Sequence, residues 1–232
     1  MDSFLNSEQL FRSALNQPNS ASEVVKLIKA YPTYPAVAEL VVIYATVADK
    51  NPTQADALAS TMLQVRNAPD TPTIDDFTLP EILNCELADL HARALRINED
   101  TKALGPSNFL LTSSLLSGLS FKYELTSCSE QSGIILDALD ADPLSDNAEV
   151  LIAGACIQLL TAGSKIIPLS TSYFKSADEV ADKLKVQKTA GAVKDVNALK
   201  LLDLAITHAE TGFKKENDID NVWERLFPPR AI

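Results

Sequence analysis

The sequence contains little glycine and little cysteine. Seven glycines in 232 residues argue against an all-β fold, because turn-dense β structures use glycine repeatedly where the backbone needs a positive φ. The three cysteines are odd in number and widely spaced, which argues against a disulfide framework and favours a reducing compartment. We expect Cys85, Cys128 and Cys156 each to be a small buried hydrophobe.

Long apolar runs are also missing. The most apolar stretches, residues 37–48 and 150–160, are about a dozen residues long, whereas a bilayer span needs roughly 20. We therefore expect no membrane insertion. An acid at position 2 and the lack of an apolar run after it predict neither a secretory signal nor a transit peptide. Together with the cysteine pattern, this predicts a cytoplasmic protein.

Positive charge is scarce. The formal net charge of −11 creates a negative field that repels phosphate backbones and anionic lipid surfaces, so nucleic acid and membranes are poor default partners. The acids are concentrated between Asp70 and Asp100, where eight acidic residues occur with only Arg93 and Arg96 as bases. This uneven distribution of charge could orient a head-to-tail self-association of the chain, or it could attract a charged partner.

Residues typical of catalytic and metal sites are few. Only His91 and His208 could serve as histidine bases. No Cys or His pair has zinc-ligand spacing, and no glycine-rich phosphate loop or nucleophile elbow occurs. We therefore expect no cofactor, no metal and no catalytic motif. A helical enzyme built from distant residues stays an alternative, and a deep pocket with perturbed carboxylates around either histidine would favour it.

Apolar residues recur at helical spacing, and prolines and capping residues divide the chain into roughly ten helical segments. The sequence thus predicts an all-α fold of antiparallel helix pairs, arranged as a short α-solenoid or as an irregular helical bundle. We expect an N-terminal helical segment over residues 1–68, a proline-rich linker or loop over 69–80, and a helical repeat-like domain over 81–232.

Several local signals refine this prediction. Ser20 and Glu23 have the spacing of a capping box, and Pro35 is predicted at the first position of the next helix. Gly118 interrupts a predicted helix and indicates close helix packing. Gly163 is expected to end another helix, and Trp223 is expected to pack onto the last one.

One stretch, residues 115–163, resembles the junction of two tetratricopeptide repeats. Ala138 occupies a small position before the turn and Pro143 occupies the turn. The next helix carries the large apolar residue Leu151, the close-contact pair that begins at Gly154, and the closing Gly163.

This resemblance implies a short right-handed solenoid that binds another protein. It also implies a partner groove lined by Glu149, Ile152 and Cys156. Members of the family that clamp a terminal carboxylate have Lys and Asn on their inner helices, so the resemblance does not imply that class of ligand.

A lysine-rich section lies near the C-terminus, with six lysines between Lys175 and Lys200. It is either a solvated helix face or a docking patch for an acidic partner or RNA. The candidate docking residues are Lys175, Lys183, Lys185 and Lys188.

Taken together, these features favour a non-enzymatic interaction, scaffold or adaptor subunit of a larger complex, with another protein as its partner. One alternative is a self-assembling helical coat or nucleocapsid protein, for which only the lysine-rich section offers a basic face. A helical enzyme is the other alternative. The sequence leaves the identity of the partner and the oligomeric state open.

Overall fold

The structure is a computed structural model that describes residues 2–69, 71–97, 103–125, 137–166, 176–214 and 220–228. Within these ranges the chain forms ten α-helices, three short 3-10 helices and no strand, so the all-α class is confirmed. The α-helices are α1 (Asp2–Leu15), α2 (Ser20–Ala30), α3 (Tyr34–Lys50), α4 (Ala55–Arg66), α5 (Leu79–Ile97), α6 (Phe109–Lys122), α7 (Ala148–Ala162), α8 (Ala177–Thr189), α9 (Val196–Glu210) and α10 (Asp220–Leu226).

The helix starts follow local chemistry. Pro35 lies in the first turn of α3, as predicted, where a missing N–H costs no helical hydrogen bond. The predicted capping box at Ser20 does not form: Asn19 is the residue that precedes α2, and its side chain does not cap the helix but donates from its amide to the Glu23 carboxylate at 3.0 Å. Helix α5 begins at Leu79 and includes Pro80 in its first turn, so it starts within the segment that was predicted as a linker or loop over residues 69–80.

Helices α6 and α7 form the centre of the molecule. Every residue from Leu110 to Phe121 of α6 is buried, and from Ala148 to Ala162 of α7 only Glu149 and Leu151 are not. Helices enclosed on all sides need no polar face, which explains why neither sequence separates into an apolar and a charged side, and why their polar residues are mostly small hydroxyl side chains that are themselves buried. None of the described helices is both long and apolar enough to cross a membrane.

The two central helices run parallel and touch closely. Ser117 accepts a hydrogen bond from the Gln158 amide at 2.8 Å. A Cβ atom on Gly118 would lie 2.6 Å from the Thr161 Cβ, and one on Gly154 would lie 2.7 Å from the hydroxyl oxygen of Ser114. Residue numbers therefore increase together along both helices, and the predicted close packing at Gly118 is confirmed.

The other helices surround this pair. On one side α3, α4 and α5 contact α6, and on the other α9 and α10 contact α7. Helices α8 and α9 form an antiparallel pair joined by ion pairs from Lys185 to Glu210 at 2.8 Å and from Lys188 to Asp203 at 2.5 Å. Trp223 lies within α10, the last helix, and its side chain is 8% exposed, so it is buried against the rest of the molecule.

The proline-rich segment contributes to the core. Ile74, within it, and Leu79, at the start of α5, are each 1% exposed, and α3 contacts both α5 and α6 across it. Buried residues that precede the proline-rich segment and buried residues that follow it belong to one hydrophobic cluster. The division of the chain into two helical parts at residues 69–80 stays a prediction.

Replacing Gly118 with alanine should destabilise the fold, although alanine is ordinarily the better helix former by about 1 kcal/mol. The added methyl group would meet the backbone oxygen of Gln158 at 2.8 Å as well as Thr161. We expect the free energy of unfolding, measured by urea denaturation, to fall by about 1–3 kcal/mol.

The matched control is Gly105→Ala, because a Cβ atom there meets nothing within 4 Å. Equal stability of Gly118→Ala and the wild-type chain would show that α6 and α7 are not in the described contact.

Candidate interaction surface

The three residues of the predicted groove do not share an exposed face. Ile152 and Cys156 are 1% and 0% exposed, and burial raises the pKa of the Cys156 thiol. Glu149 lies at the start of α7 and accepts hydrogen bonds from the backbone N–H groups of Lys194 and Asp195, both at 2.6 Å. Its carboxylate therefore joins α7 to the start of α9.

The described lysines of the predicted basic patch are each paired with an acid. Lys183 binds Asp140 at 2.5 Å, while Lys185 and Lys188 bind acids of α9. These positive charges are compensated locally, which reduces the attraction that this section could exert on an acidic partner. Lys175 lies outside the described residues.

The predicted enzyme site has little geometric support. His208 is 7% exposed, and the His91 side chain lies outside the described residues. Within the part of the chain that the structure describes, His208 lines none of four clefts of about 420 to 560 Å³. The same described residues contain no group of three or more acids, histidines or cysteines placed to hold a metal ion.

A tight hairpin turn stands out on the surface between α4 and α5. Ile74 and Phe77 exchange two backbone hydrogen bonds of 2.9 Å across Asp75 and Asp76. Both aspartates have positive φ values, 49° and 67°, as the two central residues of a type I′ turn must. Left-handed backbone costs most non-glycine residues roughly 1–2 kcal/mol, and aspartate less than that because its short polar side chain tolerates this conformation, so the turn is mildly strained.

The turn sends its two flanking side chains to different environments. Ile74 is 1% exposed within the core, whereas Phe77 is 48% exposed at the surface. The Phe77 ring meets the ring of Tyr34 edge to face, with centroids 6.5 Å apart. Tyr31, 43% exposed, lies three residues before Tyr34 where α2 ends. Three aromatic residues are thus placed at or near the surface around the start of α3.

Acids of α5 lie next to these aromatic residues. Burial raises the pKa of Tyr34 to about 12, assisted by its hydrogen bond to Glu86 and by the nearby negative charge of Asp89. Cys85, on the same helix, is exposed, so the expectation that it is buried was wrong. Cys156 is buried as expected, and Cys128 lies outside the described residues.

We call this region the acidic aromatic surface. The sequence from Thr71 to Ala92 has five acidic residues and no lysine or arginine. Arg93, just beyond, pairs with Asp89. The surface comprises Tyr34, Phe77, Asp75, Asp76, Glu86 and Asp89.

Sequence reasoning noted the excess of acids here but missed the turn and the aromatic residues. The turn was missed because Asp-Asp is a weak signal for a type I′ turn, which prefers Asn-Gly. One available signal was overlooked. Thr78 and Glu81 have capping-box spacing, and the Glu81 carboxylate accepts from the Thr78 hydroxyl and backbone N–H groups, both at 2.7 Å. These bonds lower the pKa of Glu81.

Comparison of the chain with protein-family models, with characterised proteins and with solved structures finds no match. The case for a function therefore rests on the chain's own geometry.

Replacing the strained turn with its preferred residues, as Asp75→Asn with Asp76→Gly, should stabilise the protein. Asparagine tolerates left-handed backbone and glycine adopts it without steric cost. We expect the free energy of unfolding to rise by about 0.5–1 kcal/mol in urea denaturation.

The control is Asp178→Asn with Asp182→Asn, which removes two exposed acids from α8 and changes the net charge equally. If both double variants gain the same stability, the gain comes from charge and the turn is not strained.

Tyr34 should make stability depend on alkaline pH. Its pKa is raised in the folded protein, so the proton is held up to about pH 12 when folded but only to about pH 10 when unfolded. The contribution of protonated Tyr34 to the free energy of unfolding is fully present below pH 10 and is lost as the pH rises towards 12. We expect Tyr34→Phe to show a smaller loss of stability than wild type over that interval, measured by urea denaturation. Parallel pH profiles would contradict the assignment.

Proposed function

We propose that this protein is a non-enzymatic interaction module, a scaffold or adaptor subunit that binds another protein through its acidic aromatic surface. The observation that carries the proposal is the strained turn at Asp75 and Asp76, which holds Phe77 out against Tyr34. Backbone strain at an exposed position costs stability, and such strain clusters at ligand clamps and switch regions.

The composition of the surface supports binding to a protein. Aromatic side chains are enriched in protein interfaces because they bury a large area and lose little conformational freedom. Phe77 is roughly half exposed, and its ring is available to a partner. The edge-to-face contact with Tyr34 restrains Phe77 before a partner arrives, which reduces the entropy cost of binding.

The geometry gives less support to the two alternatives. A coat protein that wraps nucleic acid needs a basic face, yet the described lysines of α8 are paired with acids. An enzyme needs convergent polar groups within a pocket. One cleft of the described residues brings Asp178, Glu179 and Lys183 together, but the buried His208 lines neither it nor the three other clefts described above.

The likeness to tetratricopeptide repeats stays part of the proposal. It is supported by the close approach of Gly154 to Ser114 and by Gly163, which ends α7 with a φ of +56°. A cytoplasmic location is likewise proposed, supported by the free thiols of Cys85 and Cys156.

The proposal predicts a partner whose retention depends on Phe77. Wild-type protein, Phe77→Ala and Leu144→Ala should be used as affinity baits in extract from the source cells, with retained proteins quantified by mass spectrometry. Leu144 is the matched control because it is 83% exposed but lies outside the acidic aromatic surface. We expect the wild-type bait to retain a stoichiometric partner. The amount of that partner on the Phe77→Ala bait should be at least tenfold lower, as for a central interface residue, whereas the Leu144→Ala bait should retain it as wild type does.

A partner retained equally by all three baits would show that binding occurs elsewhere. If no protein is retained by the wild-type bait, the interaction proposal is wrong.

A further inference from the structure

We propose that the acidic aromatic surface binds a short basic segment of a partner protein, one that carries an apolar side chain between lysine or arginine residues. This inference rests on the proposed function and adds the chemistry of the partner to it. It follows from three features of the surface: unpaired carboxylates, an exposed aromatic anchor and an excess of negative over positive charge.

The turn supplies the unpaired carboxylates. Within the described part of the chain, the side chains of Asp75 and Asp76 make no hydrogen bond or ion pair. Their neighbours are already engaged, since Glu86 accepts from Tyr34 and Asp89 pairs with Arg93. The turn therefore presents two adjacent negative charges that remain available to a cation.

Phe77 follows these charges directly and supplies the apolar contact. Its ring is 48% exposed next to the two carboxylates. An apolar side chain of the partner can cover the ring while flanking cations approach Asp75 and Asp76. Arginine or lysine can also stack on the aromatic face of Phe77, which favours cations over neutral groups.

The charge of the whole chain favours a basic partner over a second copy. Two copies that each carry a net charge of −11 repel one another. The lysine-rich helix α8 does not offset this repulsion, because Lys183, Lys185 and Lys188 are paired with acids of the same chain. The same net charge attracts a basic segment and accelerates its association.

The test uses two synthetic 14-residue peptides that carry a fluorescent label. The first alternates lysine and leucine around one tryptophan, and the second has glutamine in place of every lysine. Binding is measured by fluorescence anisotropy at physiological ionic strength with the full chain. We expect the lysine peptide to bind at least tenfold more tightly than the glutamine peptide.

Variants then locate the binding. Phe77→Ala should weaken binding of the lysine peptide by about tenfold, the loss typical of a central interface residue. Asp75→Asn with Asp76→Gly should weaken it by about fivefold, in line with two exposed charges at an interface. This double variant introduces the residues that a type I′ turn prefers and is expected to be more stable than wild type, so a loss of binding cannot be ascribed to unfolding.

Two controls separate the surface from the overall charge. Asp178→Asn with Asp182→Asn changes the net charge equally, and Leu144→Ala removes an exposed apolar side chain elsewhere. Both should change binding by less than twofold. If the control pair weakens binding as much as the turn pair does, the peptide responds to net charge and the inference is wrong.

The remaining outcomes distinguish this inference from the proposed function. If the glutamine peptide binds equally well and still depends on Phe77, the surface is an interaction site but its partner is not basic. If neither peptide binds, the inference is overturned, while the affinity baits judge the interaction proposal separately. A dimer in light scattering that Phe77→Ala abolishes would identify the occupant as a second copy and would also overturn the inference.

Discussion

The close contact between α6 and α7 is the constraint on which the rest of the structure depends. Two helix backbones can approach this closely only where side chains are small, and Gly118 and Gly154 supply the space. Serine residues extend it, since they are small and can satisfy their own hydroxyl groups. Ser114 and Ser120 each donate to the backbone oxygen four residues earlier, at 2.8 Å. A buried helix rich in serine is thereby stable without polar neighbours at every position.

The surrounding helices inherit their positions from this pair. Because α6 is enclosed all round, helices from before and after the proline-rich segment must both cover it. Polar groups hold one such contact at the start of α4. Asp56 accepts from the Lys122 ammonium at 2.8 Å and from the Tyr123 hydroxyl at 3.0 Å. Burial and this hydrogen bond raise the pKa of Tyr123 to about 12.

Sequence reasoning predicted the helical class, most helix positions and the packing role of Gly118, because these depend on local spacing and on side-chain size. It failed for features that depend on contacts between residues distant in the sequence. Periodicity could not show that α6 is buried on every side, nor that α6 and α7 run parallel. Charge counting identified lysines in α8 but could not show that acids of α9 and Asp140 pair with them.

The candidate surface was less predictable than the fold. An acidic stretch was visible in the sequence, but the conformation that exposes Phe77 depends on two aspartates in left-handed backbone. Local preference alone would place Asn-Gly there. The burial of Ile74 offsets the strain and fixes which of the two flanking side chains points outward, and that information comes only from the assembled core.

The parallel arrangement of α6 and α7 also has a consequence for how the protein acquires its structure. Parallel neighbours cannot be joined by a tight turn, so the whole chain between residues 122 and 148 must close before the central contact can form. Contacts of this kind slow folding, because the entropy of loop closure is lost before the burial of side chains compensates for it. During synthesis, α6 emerges with the side that α7 will later occupy still uncovered. A nascent chain that stops before α7 would expose that side to aggregation or to chaperones.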